Sequence, residues 1–123
     1  MDPTRDEVID YLSEVKKYVS DGKYQISPRD KKIYIDYVFS EERCKNIILD
    51  LNVDDFSEAV HNDHPQHSEE ILYIFGKDVT LLPKQGGDEE TVALYVEFNK
   101  LTNLYVIVIS FHKQDYPLTY KFK

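Results

Sequence analysis

The chain has 123 residues with four glycines, five prolines and a single cysteine, which places it with one-domain globular proteins and excludes repeat and disordered architectures. Its 23 acidic and 15 basic side chains leave a net charge of −8, which disfavours sequence-independent nucleic-acid binding by the molecule as a whole. No basic-then-apolar start and no apolar run of membrane-spanning length occurs, so neither a signal peptide nor contact with a membrane is expected. The lone Cys44 cannot form an internal disulfide and falls in an apolar helical pattern, which predicts a core thiol in a reducing, cytoplasmic setting.

The elements follow in chain order. Val8, Leu12, Val15 and Val19 recur at helical spacing, with Thr4 as a cap, acids early, lysines late and Gly22 to end the helix. KYQIS reads as a short strand. SPRDKKIYIDYVF fits both an alternating strand and a short helix, and the helix is preferred. SEERCKNIILDL is a second helix, capped by Ser40, burying Cys44, Ile47, Ile48 and Leu51. NVDDFSEAV is expected to add a short helix with Phe56 and Val60 inward, and HNDHPQH to be a loop. From residue 70 the period becomes strand-like. ILYIF and VTLL are read as two strands broken at Gly76-Lys77-Asp78, followed by the loop PKQGGDEE. TVALYVEF turns Val92, Leu94, Val96 and Phe98 to one face and Ala93, Tyr95 and Glu97 to the other. LYVIVISF is apolar on both faces, which predicts a central strand covered on both sides, and LTYKFK is expected to close the sheet as a last strand. Helices first and a meander afterwards give an α+β domain over residues 1–123: a curved antiparallel sheet with the N-terminal helices packed on one side.

The chemistry concentrates at the end of the apolar strand. His112 follows a segment that core packing holds rigid, and Tyr95 lies on the neighbouring strand. Imidazole shuttles protons near neutral pH, ammonium groups stabilise charge building on a phosphate, and a phenol donates a hydrogen bond or stacks on a base. With Lys113 beside them, and Lys77, Lys84, Tyr120 and Lys121 to hold RNA, these residues suit cleavage by ribose 2′-hydroxyl attack without metal or cofactor. His61, His64 and His67 do not have the spacing of a zinc hydrolase and are interrupted by Pro65, so no metal is expected there. Gly86-Gly87 lacks the Lys-Ser/Thr of a phosphate loop, and Glu89 and Glu90 are adjacent and therefore diverge. The bland alternative is that His112 and the lysines are solvated strand-end residues.

LSEVKKYVSDGKY, CKNIILDLNVDDFSEAV and VALYVEF followed by LYVIVISFHK resemble, in order and spacing, segments of the motility quorum-sensing regulator (MqsR-type) toxins of bacterial toxin–antitoxin pairs. The ending with His112, Pro117 and Tyr120 resembles members with a longer tail. The resemblance implies a RelE-like fold, a metal-independent endonuclease acting on mRNA, and an antitoxin partner with a helix-turn-helix DNA-binding part. Of that family's active-site lysine, glutamine, tyrosine and lysine, the tyrosine corresponds to Tyr95 and the last lysine position holds His112. The first lysine falls on Glu58, and the glutamine near Tyr73 or Ile74.

Two further expectations are open to direct comparison with coordinates. A four-residue turn at residues 100–103 pairs residue 99 with 104. Tyr95 then faces Val108, with His112 on the same face, whereas a one-residue slip separates Tyr95 and His112. The competing functional reading is a non-enzymatic module. Residues 41–70 hold nine acids against Arg43 and Lys45, a band that would bind a basic partner by mimicking phosphate.

Overall fold

Thr4 and Glu7 open the first helix, α1 (Arg5–Ser20), with a reciprocal cap. The Glu7 amide donates to the Thr4 hydroxyl at 3.2 Å and the Thr4 amide donates to the Glu7 carboxylate at 3.0 Å, satisfying amides that a helix start otherwise leaves without partners. The structure is a computed structural model and describes residues 2–27, 32–101 and 106–123. The apolar stripe Val8, Leu12, Val15 and Val19 is buried as its spacing predicts. Gly22, at φ +75°, turns the chain into the short strand β1 (Tyr24–Ile26). Two further helices follow, α2 (Lys32–Asp36) and α3 (Glu41–Asp50), the latter capped by Ser40, whose hydroxyl accepts from the Arg43 amide at 3.1 Å.

The remaining strands are β2 (Phe56–His61), β3 (Ile71–Leu81), β4 (Glu90–Leu101) and β5 (Val106–Lys113). They form one five-stranded sheet in the order β1-β5-β4-β3-β2. Every pair is antiparallel except β1 with β5, which run parallel. The fold is thus α+β, with the N-terminal helices packed against a largely antiparallel sheet. Alternation along the strands separates two faces. Phe56, Phe75, Val96 and Phe111 lie in register across four strands and are fully buried on the helix side. They pack with the α1 stripe and with Cys44, Ile47 and Ile48 of α3 in one core. Gly76, Tyr95 and His112 form the next cross-strand row and belong to the opposite face.

Four expectations change. NVDDFSEAV is not a helix: Asn52 and Asp55 cap one another around a single 3-10 turn, Val53–Asp55, and the chain then enters β2. Phe56 and Ala59 are buried, whereas Val60 is only half-buried, so pairing with β3 overrides the helical spacing. ILYIF and VTLL are one strand, because Gly76 continues the ladder opposite Tyr95. LTYKFK is irregular: it crosses the sheet instead of extending it. β5 has neighbours on both edges, but Val108 and His112 are half-buried, so its second face is only partly covered.

The strand register also differs from the expected one. Tyr95 pairs with His112 and Leu101 with Val106; the connection at residues 102–105 lies outside the described residues. The pairing is shifted by four residues, and an even shift keeps each side chain on its own face. No helix among the described residues is long and apolar enough to cross a membrane.

Candidate functional site

Because β4 and β5 are held by a buried helix-side face, their outward residues are fixed too. The rings of Tyr95 and His112 stack with centroids 4.2 Å apart and planes 17° from parallel. His112 Nδ1 lies 2.7 Å from the Lys113 carbonyl oxygen. A carbonyl only accepts, so Nδ1 carries the proton, and in the neutral ring Nε2 presents a lone pair. The Tyr95 hydroxyl donates to the Glu97 carboxylate at 3.1 Å. Burial, then the Glu97 charge and this hydrogen bond, hold its phenol well above the usual range, with smaller contributions from Tyr116 and Glu58. Tyr95 is therefore a neutral donor and a stacking platform, not a base.

β1 covers β5 only along Ile107–Ile109. Past that point a cleft of about 560 Å³ opens between α2 and the end of β5, lined by Lys32, Asp36, Tyr37, His112, Lys113 and Gln114 among others. Lys113 sits 5.0 Å over the Tyr37 ring. Its hydrogen bond to Tyr37, helped by the charges of Glu90 and Asp36, raises its pKa and keeps the ammonium charged. The Tyr37 hydroxyl in turn donates to Glu90 at 2.7 Å. Lys32 pairs with Asp36 at 3.7 Å, within the helix. The cleft is thus bordered by His112 and two lysines, one of which is braced on an aromatic ring.

Of the residues singled out from sequence, Tyr95 and His112 come together, and Lys113 follows His112 at the strand end with the opposite parity, its ammonium over the Tyr37 ring. Tyr120 lies beside them, packed over Gly76. The other lysines do not join them. Lys77 is on the helix side of β3, ion-paired with Asp50 at 3.4 Å and Asp55 at 3.5 Å. Lys84 is in the loop after β3, where its amide donates to the Asp36 carbonyl at 2.9 Å; it does not line the cleft. Lys121 pairs with Asp2 and donates to the Pro3 carbonyl at 3.2 Å. Each follows from strand parity or from a connection whose course sequence does not show. Sequence reasoning passed over Lys32, Glu97, Gln114 and Tyr116. Parity alone places Glu97 and Gln114 on the His112 face, while Lys32 and Tyr116 arrive through tertiary packing.

The acidic band is partly used inside the molecule. Glu41 accepts from the Tyr24 hydroxyl, Asp50 and Asp55 hold Lys77, and Glu70 accepts from the Asn62 and Asn99 amides. His61 Nδ1 meets the Ser68 carbonyl, and His64 Nδ1 accepts from the Gln66 amide. Among the described residues no group of three or more His, Cys, Asp and Glu side chains is arranged to hold a metal ion. No protein-family model matches the chain, and no curated protein sequence matches it either.

Proposed function

We propose that the protein is a metal-independent endoribonuclease, the toxin of a toxin–antitoxin pair, acting on mRNA in the cytoplasm. The observation that carries this reading is the fixed ring of His112. It is stacked on Tyr95 and tied by Nδ1 to the Lys113 carbonyl, which leaves Nε2 with its lone pair, and His112 lines a cleft together with Lys113 and Lys32. In the reaction, Nε2 takes the proton of a ribose 2′-hydroxyl, which attacks the adjacent phosphorus. Lys113 and Lys32 neutralise the charge that builds on the phosphate oxygens. The 5′-oxygen then leaves as a hydroxyl with a proton taken from solvent water, a 2′,3′-cyclic phosphate remains, and the imidazolium returns its proton to solvent. Tyr95 fixes the imidazole plane. The partner that restrains this activity is an antitoxin, and the acidic band offers it a surface for basic residues.

The test uses induced expression together with the purified protein incubated with mRNA in a chelator. Wild type should arrest growth and cut the RNA with cyclic-phosphate ends. His112→Ala should lower cleavage by about 10²–10⁴-fold, the usual contribution of a general base, and relieve the arrest. Intact RNA and normal growth with the wild-type protein would remove the reading.

A further inference from the structure

The last ten residues are strapped across the sheet. The Gln114 amide donates to the Ala93 carbonyl at 2.9 Å, and the Gln114 side chain bonds the Leu94 carbonyl, the Tyr120 hydroxyl and the Leu118 amide. Farther along, the Ser57 hydroxyl donates to the Thr119 carbonyl at 2.8 Å, and the Lys121 amide to the Phe56 carbonyl at 3.1 Å. Phe122 stacks on Phe56 at 5.8 Å. The segment therefore passes from β5 over β4 and β3 to β2. Its seat is Gly76: a β-carbon there would stand 2.4 Å from the Tyr120 hydroxyl, 2.7 Å from Gln114 Nε2 and 2.8 Å from Leu118 Cδ1. Only glycine admits so close an approach.

Gly76 is in the same cross-strand row as Tyr95 and His112, so the strap runs beside the catalytic pair. It carries Tyr116, which is 69% exposed. Under it is a second cleft of about 570 Å³ that includes Gly76, Gln114 and Tyr116 in its lining, with three acids, Asp55, Asp78 and Asp115, against two bases, Lys77 and Lys123, of which Lys77 is already paired with Asp55. Gln114 and Asp115 also line the His112 cleft, so the two are adjoining. Carboxylates repel a phosphate but accept hydrogen bonds from the N–H groups of a neutral base. An exposed ring on a segment bonded on either side of it, at Gln114 and Leu118, is a ready stacking surface.

We propose that the second cleft receives an unpaired nucleobase of the RNA, stacked on Tyr116, next to the phosphate offered to His112. The substrate is then single-stranded, because a base inside a duplex has both faces occupied by its neighbours. This inference rests on the ribonuclease reading. It gives Tyr116 a binding role that neither the phosphate chemistry nor the fold requires.

The experiment uses the full chain carrying His112→Ala, which binds without cutting, and a fluorescein-labelled 12-nucleotide RNA of mixed sequence, followed by anisotropy. The single strand should bind, and the same sequence annealed to its complement should bind at least about tenfold more weakly. Adding Tyr116→Ala should weaken single-strand binding by about tenfold or more, the scale of one lost base stack, while Tyr116→Phe, which keeps the ring, should bind like the parent. In the otherwise wild-type enzyme, Tyr116→Ala should raise KM with little change in kcat. Tyr116 is exposed, so these variants fold. Equal binding by Tyr116→Ala and its parent, or equal binding of single strand and duplex, overturns this proposal and leaves the ribonuclease reading standing. Failure of the wild-type protein to bind or cut any RNA overturns both.

Discussion

Gly76 shows how one side chain, or its absence, shapes both faces of the molecule. In β3 it continues the ladder, yet the space where its β-carbon would be is filled by Tyr120, Gln114 and Leu118. Gly76→Ala should therefore act as an overpacking change and cost about 1–3 kcal/mol. Urea unfolding measures the loss, and hydrogen exchange locates it. The Leu118 and Lys121 amides, bonded to Gln114 and to the Phe56 carbonyl, should lose protection before those of β4 do. If the strap amides keep their protection, Gly76 is not the seat. Tyr95 offers the complementary case at this scale. Its hydroxyl serves Glu97, so Tyr95→Phe should keep the stack on His112 and retain most of the activity, whereas Tyr95→Ala should not.

Among the elements, α1 is the most self-sufficient. Its capping box, first-turn acids and buried valine–leucine stripe all favour the same segment. Thr4→Ala should remove the hydroxyl that accepts from the Glu7 amide and lower stability by about 1 kcal/mol, read as a lower urea midpoint with an unchanged slope. β2 is the opposite case. Its six residues include Ser57, Glu58 and Ala59, which have little preference for strand, and a bulge between Phe56 and Glu58 interrupts its pairing. Its conformation comes from β3 on one side and from the Phe56 ring set against Phe75 and Phe122. The β4–β5 pair is intermediate: each strand is evident from alternation, but their alignment depends on where the connection falls, two residues later than expected and of the same length.

For the molecule as a whole, burial links folding to alkaline pH. The Cys44 thiol is pushed up to about 11, chiefly by burial, and burial also pushes the Tyr11 and Tyr95 phenols upward. In each case the unfolded chain gives up its proton at lower pH than the native one. The native state thus binds more protons over that interval, and stability falls as pH rises. For Cys44 the stability is fully present below pH 9 and is lost between pH 9 and about 11. The melting temperature should hold steady up to about pH 8.5 and fall beyond it. Cys44→Ala should flatten the first part of that fall, and a thiol reagent should label Cys44 only as the protein unfolds. Rapid labelling of the native protein at pH 8 would contradict the burial.

The amino-acid sequence was enough, taken alone, to locate α1, α3, β4 and β5, to separate the buried from the outward residues of β4, and to put Tyr95 and His112 on one face. Each of these is a local periodicity, and parity survives an even error in register. It was also enough to choose the α+β class, since helical and strand periods occupy different halves of the chain. It was not enough for β2, for the continuity of β3 through Gly76, for the crossing course of the tail, or for the separation of Lys77, Lys84 and Lys121 from His112. Those depend on contacts between residues far apart in the chain. Phe56 is a strand residue because Phe75 pairs with it, and the lysines go to the carboxylates that folding brings within reach. Local spacing has no access to such partners, so tertiary structure alone decided which cations stand near the imidazole.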